Sequence, residues 1–434
     1  MLAILRERIA ACLPRGRLAR GIVALASGTA AAQAITVCMM PIVTRLYTPA
    51  QIGVISLFLA FFGFWSATLS LRYEYALLIA RDDEESHVVH RLAVVLVVVM
   101  SVLGLPILLG LQRTGMLGFE LLPNWAPFAA VPILLGYGIF MVYRSWALRA
   151  GTVNDITKAT IARSAANAGT RVALGLFGGG TIALFAAEFA GAWGAMLELA
   201  RNARKHFASS KPISIRRCDL VGVARRFSKF PAFETPSTWV NQLALTLPLP
   251  MVASLHGAAA AGWFGLARAM VGIPNTQIGS AVADVFQMEL ASALVAGEAA
   301  RARGLFYKLM RKLALFGLVP LVAVIVLGPW LVPWIFGQKW KAAGWAAAII
   351  APWLYAALVV SSLSRTLSVI QAQEYKFVYD VGAASLFILA FFVAKYTHPS
   401  FLELVSILSG TGVLSYIIYL VLLVVVVEAQ LETR

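Results

Sequence analysis

Long apolar blocks separated by short polar segments run along the whole chain of 434 residues. Most blocks reach the roughly 20 residues that a helix needs to cross a hydrocarbon core of about 30 Å. Because a helix pairs its backbone polar groups internally, the pattern predicts an all-α polytopic membrane protein. We place twelve transmembrane helices at residues 21–43, 51–71, 92–111, 127–148, 161–178, 181–200, 233–255, 263–285, 313–336, 345–370, 378–396 and 401–427.

The second half of the chain repeats part of the first. Residues 41–63 align with residues 250–272 without a gap, at a constant offset of 209 positions (250 minus 41). Two apolar stretches share some identities by chance, but these two also occupy the same place in each half. The repeat predicts two six-helix bundles around a central cavity, related by an axis along the membrane normal. The identical pairs are Pro41/Pro250, Val43/Val252, Leu46/Leu255, Ala50/Ala259, Gly53/Gly262, Leu57/Leu266, Ala60/Ala269 and Gly63/Gly272.

Composition leaves no room for a soluble domain of ordinary size, because the chain is 60% hydrophobic and only 13% charged. We therefore divide the chain into the two bundles and the segments that connect or flank them. We predict a cytoplasmic amphipathic N-terminal segment at 1–20, an N-terminal bundle at 21–200, a basic cytoplasmic linker at 201–232, a C-terminal bundle at 233–427 and a cytoplasmic tail at 428–434.

The net charge of +16 is distributed unevenly along the chain. Lys and Arg concentrate in alternate gaps between the apolar blocks, and the richest gap is 201–229. Short basic loops resist translocation, so we expect an inner-membrane protein with both termini in the cytoplasm. The same charge predicts attraction to anionic membrane lipids. The dispersed basic residues have no soluble domain to present them, which argues against nucleic-acid binding.

Two parts of the sequence resemble a known family. The first 90 residues contain ASGTAAAQAI, PIVTRLYTPAQIG and LRYEYALLIARDDEES. Residues 225–286 read RRFSKFPAFETPSTWVNQLALTLPLPMVASLHGAAAAGWFGLARAMVGIPNTQIGSAVADVF. Both parts resemble bacterial lipid-linked polysaccharide flippases, the O-antigen and exopolysaccharide exporters of the multidrug/oligosaccharidyl-lipid/polysaccharide (MOP) exporter superfamily.

The resemblance implies a MOP-type fold and transport by alternating access. The implied substrate is an undecaprenyl-pyrophosphate-linked oligosaccharide repeat unit, flipped from the cytoplasmic to the periplasmic leaflet. No cofactor is implied, and the expected driving force is a proton or sodium gradient. A polysaccharide polymerase and a chain-length regulator are the expected protein partners.

Other function classes remain as alternatives. An ion-coupled small-molecule or drug antiporter of the same superfamily would share the fold, although the intramembrane Arg residues favour an anionic substrate over a cationic drug. A sugar porter of the major facilitator type would need a G-x-x-x-D-R-x-G-R-R loop, which is missing after the second predicted helix. An enzyme is not expected, because the longest external loop covers only residues 112–126 and no G-x-x-x-x-G-K nucleotide loop occurs.

Four arginines are the predicted contacts of the pyrophosphate, namely Arg268, Arg365, Arg144 and Arg45. An ionised side chain that faces lipid costs about 2.5–3.5 kcal/mol, which favours a position in the cavity. A guanidinium also binds phosphate oxygens in pairs. The alternative for Arg268 and Arg365 is a structural contact with a carboxylate or with helix carbonyls. For Arg45, the neighbouring Pro49 more simply indicates a tight turn.

Ionisable residues near the span ends predict two further roles. Arg72 and Glu74 are predicted to gate the cytoplasmic entrance by pairing and unpairing, unless they form a permanent ion pair or Arg72 only snorkels. Asp284 and Glu188 are predicted to bind a coupling ion, with helix capping or pairing to an Arg as the alternatives.

The histidines and tryptophans predict no chemistry of their own. The five histidines lack a second metal ligand at regular spacing, so no metal site is predicted. Indole rings prefer the headgroup level of a membrane. The tryptophans expected to anchor the outer span ends are Trp125, Trp330, Trp334, Trp340 and Trp345.

Overall fold

The computed structural model describes residues 17–207 and 217–432, and within them the chain forms helices and no strand. The predicted N-terminal segment 1–20 lies outside the described residues except for 17–20, which begin the first helix. The helices, numbered in chain order, are α1 (Arg17–Leu46), α2 (Pro49–Ser66), α3 (Tyr73–Ile79), α4 (Asp83–Thr114), α5 (Ala126–Arg149), α6 (Val153–Leu176), α7 (Gly180–Phe207), α8 (Arg217–Arg226), α9 (Thr235–Thr246), α10 (Pro248–Val295), α11 (Ala299–Phe336), α12 (Lys341–Leu363), α13 (Arg365–Val369), α14 (Gln373–Thr397) and α15 (Phe401–Glu432).

Ten stretches within the described residues are long and apolar enough to cross a membrane. They confirm a multi-pass membrane protein, whereas the predicted number of twelve is not confirmed by this criterion. The predicted helix at 161–178 lies in α6, which has the length but is too polar to be included. The predicted helix at 233–255 and the first part of the predicted helix at 263–285 fall in one apolar stretch, Phe230–Gly272.

That apolar stretch folds back on itself at Gly257. The backbone there has φ 78° and ψ −176°, a conformation that glycine adopts readily and other residues do not. Arg268 hydrogen-bonds the carbonyl of Leu245 across the fold, and these two residues are almost equally far from the turn along the chain. We therefore divide α10 into a first leg, residues 248–256, and a second leg, residues 258–295.

The helices form two lobes, the N-lobe (residues 17–207) and the C-lobe (residues 235–432). In the N-lobe, α6 and α7 pack on each other, α6 packs on α1, and α7 packs on α5. In the C-lobe, α12 packs against α10, α11 and α15. We call the face at which α1 ends the distal face, and it includes the turns at 47–48, 257 and 337–340. The opposite face is the proximal face.

A capping box starts α2 at the distal face. The Thr48 hydroxyl accepts a hydrogen bond from the backbone of Gln51, and the Gln51 side chain accepts one from the backbone of Thr48 at 2.9 Å. Pro49 occupies the first helical position, where its missing N–H costs nothing. The tight turn that the sequence indicated at Pro49 is thus present.

The lobes meet mainly at the distal face. There α2 packs on the second leg of α10, and Gly53 contacts Gly262, its partner in the sequence alignment. Contact between equivalent positions is expected when two repeats are related by a two-fold axis. Deeper in the protein, α9 also packs on α2, where Trp239 stacks on Trp65 with ring centres 6.2 Å apart.

Candidate substrate site

Arg268 is the most deeply placed of the four candidate arginines. It follows Gly257 by eleven residues in the second leg of α10, which corresponds to about 16 Å along a helix. Its side chain is half-buried, donates to the carbonyl of Leu245, and places Cζ 5.6 Å from the ring centre of Trp353. No carboxylate lies within ion-pair distance of Arg268 in the described part of the chain.

Two prolines lie close to the carbonyl that Arg268 contacts. Pro248 and Pro250 have no N–H, so the carbonyls of Ala244 and Thr246 lose the donor four residues later in the helix. Arg268 donates to the carbonyl of Leu245, between these two residues, at this break in the hydrogen-bond ladder. The arrangement matches the structural alternative for Arg268, a contact with a helix carbonyl, yet it leaves the positive charge without an anion.

A second polar cluster lies in the C-lobe around Asp380, a residue that the sequence analysis missed. Asp380 is buried, accepts a hydrogen bond from Asn241 at 3.0 Å, and pairs with Lys376 at 2.6 Å. Tyr379 stacks on Tyr419 with ring centres 3.9 Å apart. The K-x-x-x-D spacing, which puts both charges on one helix face, was the available signal.

The N-lobe contains a closed ion pair instead. Glu188, a predicted coupling residue, is buried and lies 2.6 Å from Arg171. The backbone of this helix pair is further fixed by Tyr47, which donates to the Arg171 carbonyl at 2.7 Å. Asn167 donates to the carbonyl of Ala187 at 3.2 Å. Asn167 and Arg171, two polar residues that made α6 a weak candidate span, therefore both contact α7.

The other three candidate arginines lie at different levels. Arg45 is exposed at the distal face, with Nη2 3.4 Å from the carbonyl of Ile335. Arg144 is half-buried near the proximal end of α5. Arg365 begins α13, just after α12 ends, and donates to Gln287 at 3.0 Å. The four arginines are thus spread along the length of the helices and do not form one compact site.

The predicted gate residues join the two lobes near the proximal face. Arg72 donates to the Thr238 hydroxyl at 2.7 and 3.1 Å, and its Nη1 lies 3.7 Å from Glu74. Burial raises the pKa of Glu74, although Ser70 and Arg72 act against this effect. Leu71 and Arg72 both have positive φ, 48° and 66°, so the chain is strained at this connection. Their gating role remains a prediction.

Two further sequence predictions have different outcomes. The backbone of Asp284 belongs to α10, but its side chain lies outside the described residues. Trp340 was expected to anchor its span end in the membrane surface, but its side chain is fully buried within the protein. Its indole donates to the Thr44 carbonyl of the other lobe at 2.9 Å.

The sequence matches the family described as "Polysaccharide biosynthesis protein" over residues 42–344, more than half of the chain. The chain belongs to this family. The matched region of the polysaccharide biosynthesis protein includes Gly53, Arg171 and Arg268, and ends before Asp380. No curated protein matches the chain.

Solved structures similar to this family member are MOP-superfamily transporters and a flippase. An inward-facing multidrug resistance MATE family transporter has a TM-score of 0.71 at 15% identity, covering 94% of this chain and 96% of the transporter. A MOP superfamily transporter from Pyrococcus furiosus gives 0.64 at 15% identity, covering 94% and 96%. The lipid II flippase MurJ, in an inward closed conformation, gives 0.64 at 12% identity, covering 92% and 86%.

At these identities the likeness shows the fold, and that fold is MOP-type. It confirms the predicted all-α MOP architecture, while the number of crossings stays open between ten and twelve. Together with the family match, it confirms the resemblance to MOP flippases that the sequence carried. The similar structures are transporters and a flippase rather than enzymes.

Proposed function

We propose that the protein flips an undecaprenyl-pyrophosphate-linked oligosaccharide repeat unit from the cytoplasmic to the periplasmic leaflet by alternating access. Membership of a polysaccharide biosynthesis family and the MOP-type fold support a lipid-linked flippase or a MOP transporter. Without a protein path, the charged and hydroxyl-rich head of such a lipid would lose its hydrogen bonds to water in the hydrocarbon core.

The observation that carries the proposal is the state of Arg268. Its guanidinium lies deep in the C-lobe, is half-buried, and is held by a carbonyl and an indole ring instead of a carboxylate. Such a group keeps its donors and its charge available to a pyrophosphate, which a guanidinium binds in a two-pronged way. A cationic drug would be repelled there, so the antiporter is the weaker candidate.

The charge distribution supports an orientation with the proximal face in the cytoplasm and the distal face in the periplasm of a bacterial inner membrane. The proximal connections carry most of the Lys and Arg residues, including Arg225, Arg226 and Lys229 after α7. In this orientation the main contact between the lobes is periplasmic, and the contact of Arg72 with Thr238 lies on the cytoplasmic side, from which the substrate is proposed to enter.

We also propose that a proton or sodium gradient drives the cycle. Glu188 and Asp380 are buried carboxylates in opposite lobes, and each is paired with a basic side chain. A coupling ion would have to displace that partner. The test is transport by reconstituted protein with each gradient imposed separately, and equal rates with and without both gradients contradict the coupling.

Reconstitution into vesicles tests the flippase directly. A lipid-linked repeat unit placed in one leaflet should become accessible to a glycosidase on the other side only in vesicles that contain the protein.

In cells, deleting the gene should abolish surface polysaccharide and retain the lipid-linked unit on the cytoplasmic side. Normal polysaccharide with altered drug resistance would support the antiporter instead. A loss of polymer length without loss of export would point to the polymerase or chain-length partner.

A further inference from the structure

One face of α11 is exposed along most of the helix and changes character on the way. At about 100° per residue, this face lies opposite the buried side of the helix, which carries Phe306 and Leu313. The face begins with three exposed basic residues, which we call the basic turn, namely Lys308, Arg311 and Lys312. It continues with exposed large apolar residues, namely Leu315, Phe316, Val319, Val322 and Val326.

The two ends of this face match the two surfaces of a membrane. Trp330 continues the face at the distal end and is 77% exposed. It follows Lys312 by 18 positions (330 minus 312). That separation is about 27 Å along a helix, close to the roughly 30 Å of a hydrocarbon core. Because indole rings prefer the headgroup level, Trp330 marks one surface and the basic turn lies at the other.

The basic turn has no carboxylate partner within the protein. None of its three side chains lies within ion-pair distance of a carboxylate in the described part of the chain. The two arginines nearer the start of α11 are occupied, because Arg301 lies 2.8 Å from Glu298 and Arg303 lies 2.6 Å from Glu428. The charge of the basic turn is therefore available to an anion outside the protein.

A shallow depression adjoins the basic turn on the side of the helix start. It has a volume of about 430 Å³ and includes Gly304, where an added Cβ would meet nothing within 4 Å. Gly304 precedes Lys308 by about one helical turn on the same face. The other lining residues are Ala299, Ala300, Arg303 and Tyr307. The depression gives room for a headgroup larger than a phosphate ion.

The corresponding helix of the N-lobe, α4, has no such basic turn. In the predicted arrangement α4 and α11 each contain the third membrane helix of their half. Residues 299–312 contain five basic residues and no acidic residue, whereas residues 82–91 contain four acidic residues and one basic residue, Arg91. Arg91 is exposed and is followed one turn later by the exposed Val95. α4 thus presents an apolar face to lipid without a cluster of cations at its proximal end.

We propose that the basic turn of α11 binds the headgroup of an anionic phospholipid, whose acyl chains lie along the apolar part of the same face. Cations without counter-ions at the headgroup level match the phosphate, and the exposed apolar side chains match the chains. The bound lipid holds the C-lobe at a fixed depth in the membrane, whereas the N-lobe lacks this anchor. Binding requires no transport, so the inference does not rest on the proposed function.

The test measures which lipid lies beside the basic turn. In a background with Cys12, Cys38 and Cys218 changed to Ser, Leu315→Cys carries a bimane fluorophore one turn beyond Arg311. The protein is reconstituted in phosphatidylcholine vesicles that contain increasing fractions of phosphatidylglycerol. Either lipid is brominated in its acyl chains in turn, so that quenching reports how much of it contacts the fluorophore.

Val95→Cys on α4 is the matched probe, because it lies one turn beyond a single basic residue, Arg91. Each basic residue near the headgroups strengthens binding of an anionic lipid by about five-fold. The association constant of phosphatidylglycerol relative to phosphatidylcholine should therefore be about 25-fold higher at Leu315→Cys than at Val95→Cys, since two more cations act there. Equal constants at the two probes would overturn the proposal.

Charge variants assign the preference to the basic turn. Arg311→Gln and Lys312→Gln should each lower the relative constant at Leu315→Cys by about five-fold, and Arg311→Lys should retain it. Arg91→Gln is the control and should leave it unchanged. Gln variants that keep the full preference would contradict the proposal.

A competing anion identifies the occupant. Undecaprenyl pyrophosphate is added in an amount equal to the protein, with brominated phosphatidylglycerol in excess. Persistent quenching at Leu315→Cys would support a phospholipid site. Loss of quenching would assign the basic turn to a polyprenyl pyrophosphate and overturn the proposal, while leaving the proposed flippase function standing.

Discussion

Arg171 and Arg268 are both half-buried, but their partners differ between the two lobes. In the N-lobe, Arg171 lies 2.6 Å from Glu188, and the pair is closed. In the C-lobe, Arg268 has a carbonyl and an indole ring as partners, while the buried carboxylate of Asp380 is paired with Lys376. The comparison separates an arginine that holds helices together from one whose charge is left for a ligand.

The largest effect is expected from Arg171→Ala. It leaves the Glu188 carboxylate, which is 8% exposed, without its counter-ion, and breaking a buried pair costs about 3–5 kcal/mol. The free energy of unfolding in detergent should fall by this amount, and Arg171→Ala combined with Glu188→Gln should recover most of it. A single variant as stable as the parent would show that the pair has no structural role.

Arg268→Ala should cost less stability than Arg171→Ala, because it removes one hydrogen bond to Leu245 and breaks no ion pair, and it should impair transport. Loss of one charge-assisted contact to the substrate, at about 1.5–3 kcal/mol, corresponds to at least a ten-fold reduction in the flipping rate or affinity. Arg268→Lys should be intermediate, because an ammonium keeps the charge but not the paired donors. Arg113→Ala, at an exposed arginine, is the control. Normal flipping by stable Arg268→Ala protein would reject the site assignment.

Lys376→Ala tests whether the C-lobe pair resembles that of the N-lobe. The Lys376 side chain is 37% exposed, so solvent screens the pair, and Asn241 still donates to Asp380 in the variant. We expect a loss of about 1–2 kcal/mol in the free energy of unfolding, clearly smaller than for Arg171→Ala. Equal losses of unfolding free energy in Lys376→Ala and Arg171→Ala would show that the two ion pairs contribute equally to stability.

The smallest expected effect is a change of stability with pH, which arises from Glu74 beside the contact of Arg72 with Thr238. Burial raises the pKa of Glu74, so the folded protein holds this proton more tightly than the unfolded chain does. The stability gained from the protonated carboxyl is full below the unfolded pKa and is lost as the pH rises through the folded pKa. A tenfold difference in proton affinity between the folded and unfolded states corresponds to about 1.4 kcal/mol of stability.

Glu74→Gln replaces the titrating carboxyl with a neutral amide, so the stability of the variant should depend less on pH than that of the parent. Thermal unfolding of parent and variant between about pH 4 and about pH 8 measures it. The parent should lose stability relative to the variant as the pH increases. A difference of the opposite sign would mean that Arg72 stabilises the charged carboxylate more than burial opposes it.

Local signals in the sequence predicted most of the helices. Pro49 indicated the tight turn before α2, and apolar length identified the spans that pack through non-polar surfaces. α6 was the weak case, because Asn167 and Arg171 lower its hydropathy. Their partners are on α7, and a polar residue that pairs across helices cannot be distinguished in sequence from one that faces water.

The candidate site was harder to predict, since it depends on contacts between distant segments. Asp380 was missed because it stands beside Lys376 at the edge of a predicted span, and only the fold brings Asn241 to it. Trp340 was assigned to the membrane surface by its position, whereas the other lobe covers it. The turn at Gly257 is a single residue, although the sequence indicated a loop between 255 and 263.

The contact of Gly53 with Gly262 also limits which residues the two halves of the chain can accept there. Each glycine lies against the backbone of the other half, so a larger residue at either position would push the two helices apart. A smaller residue at the partner position cannot compensate, because the partner already lacks a side chain.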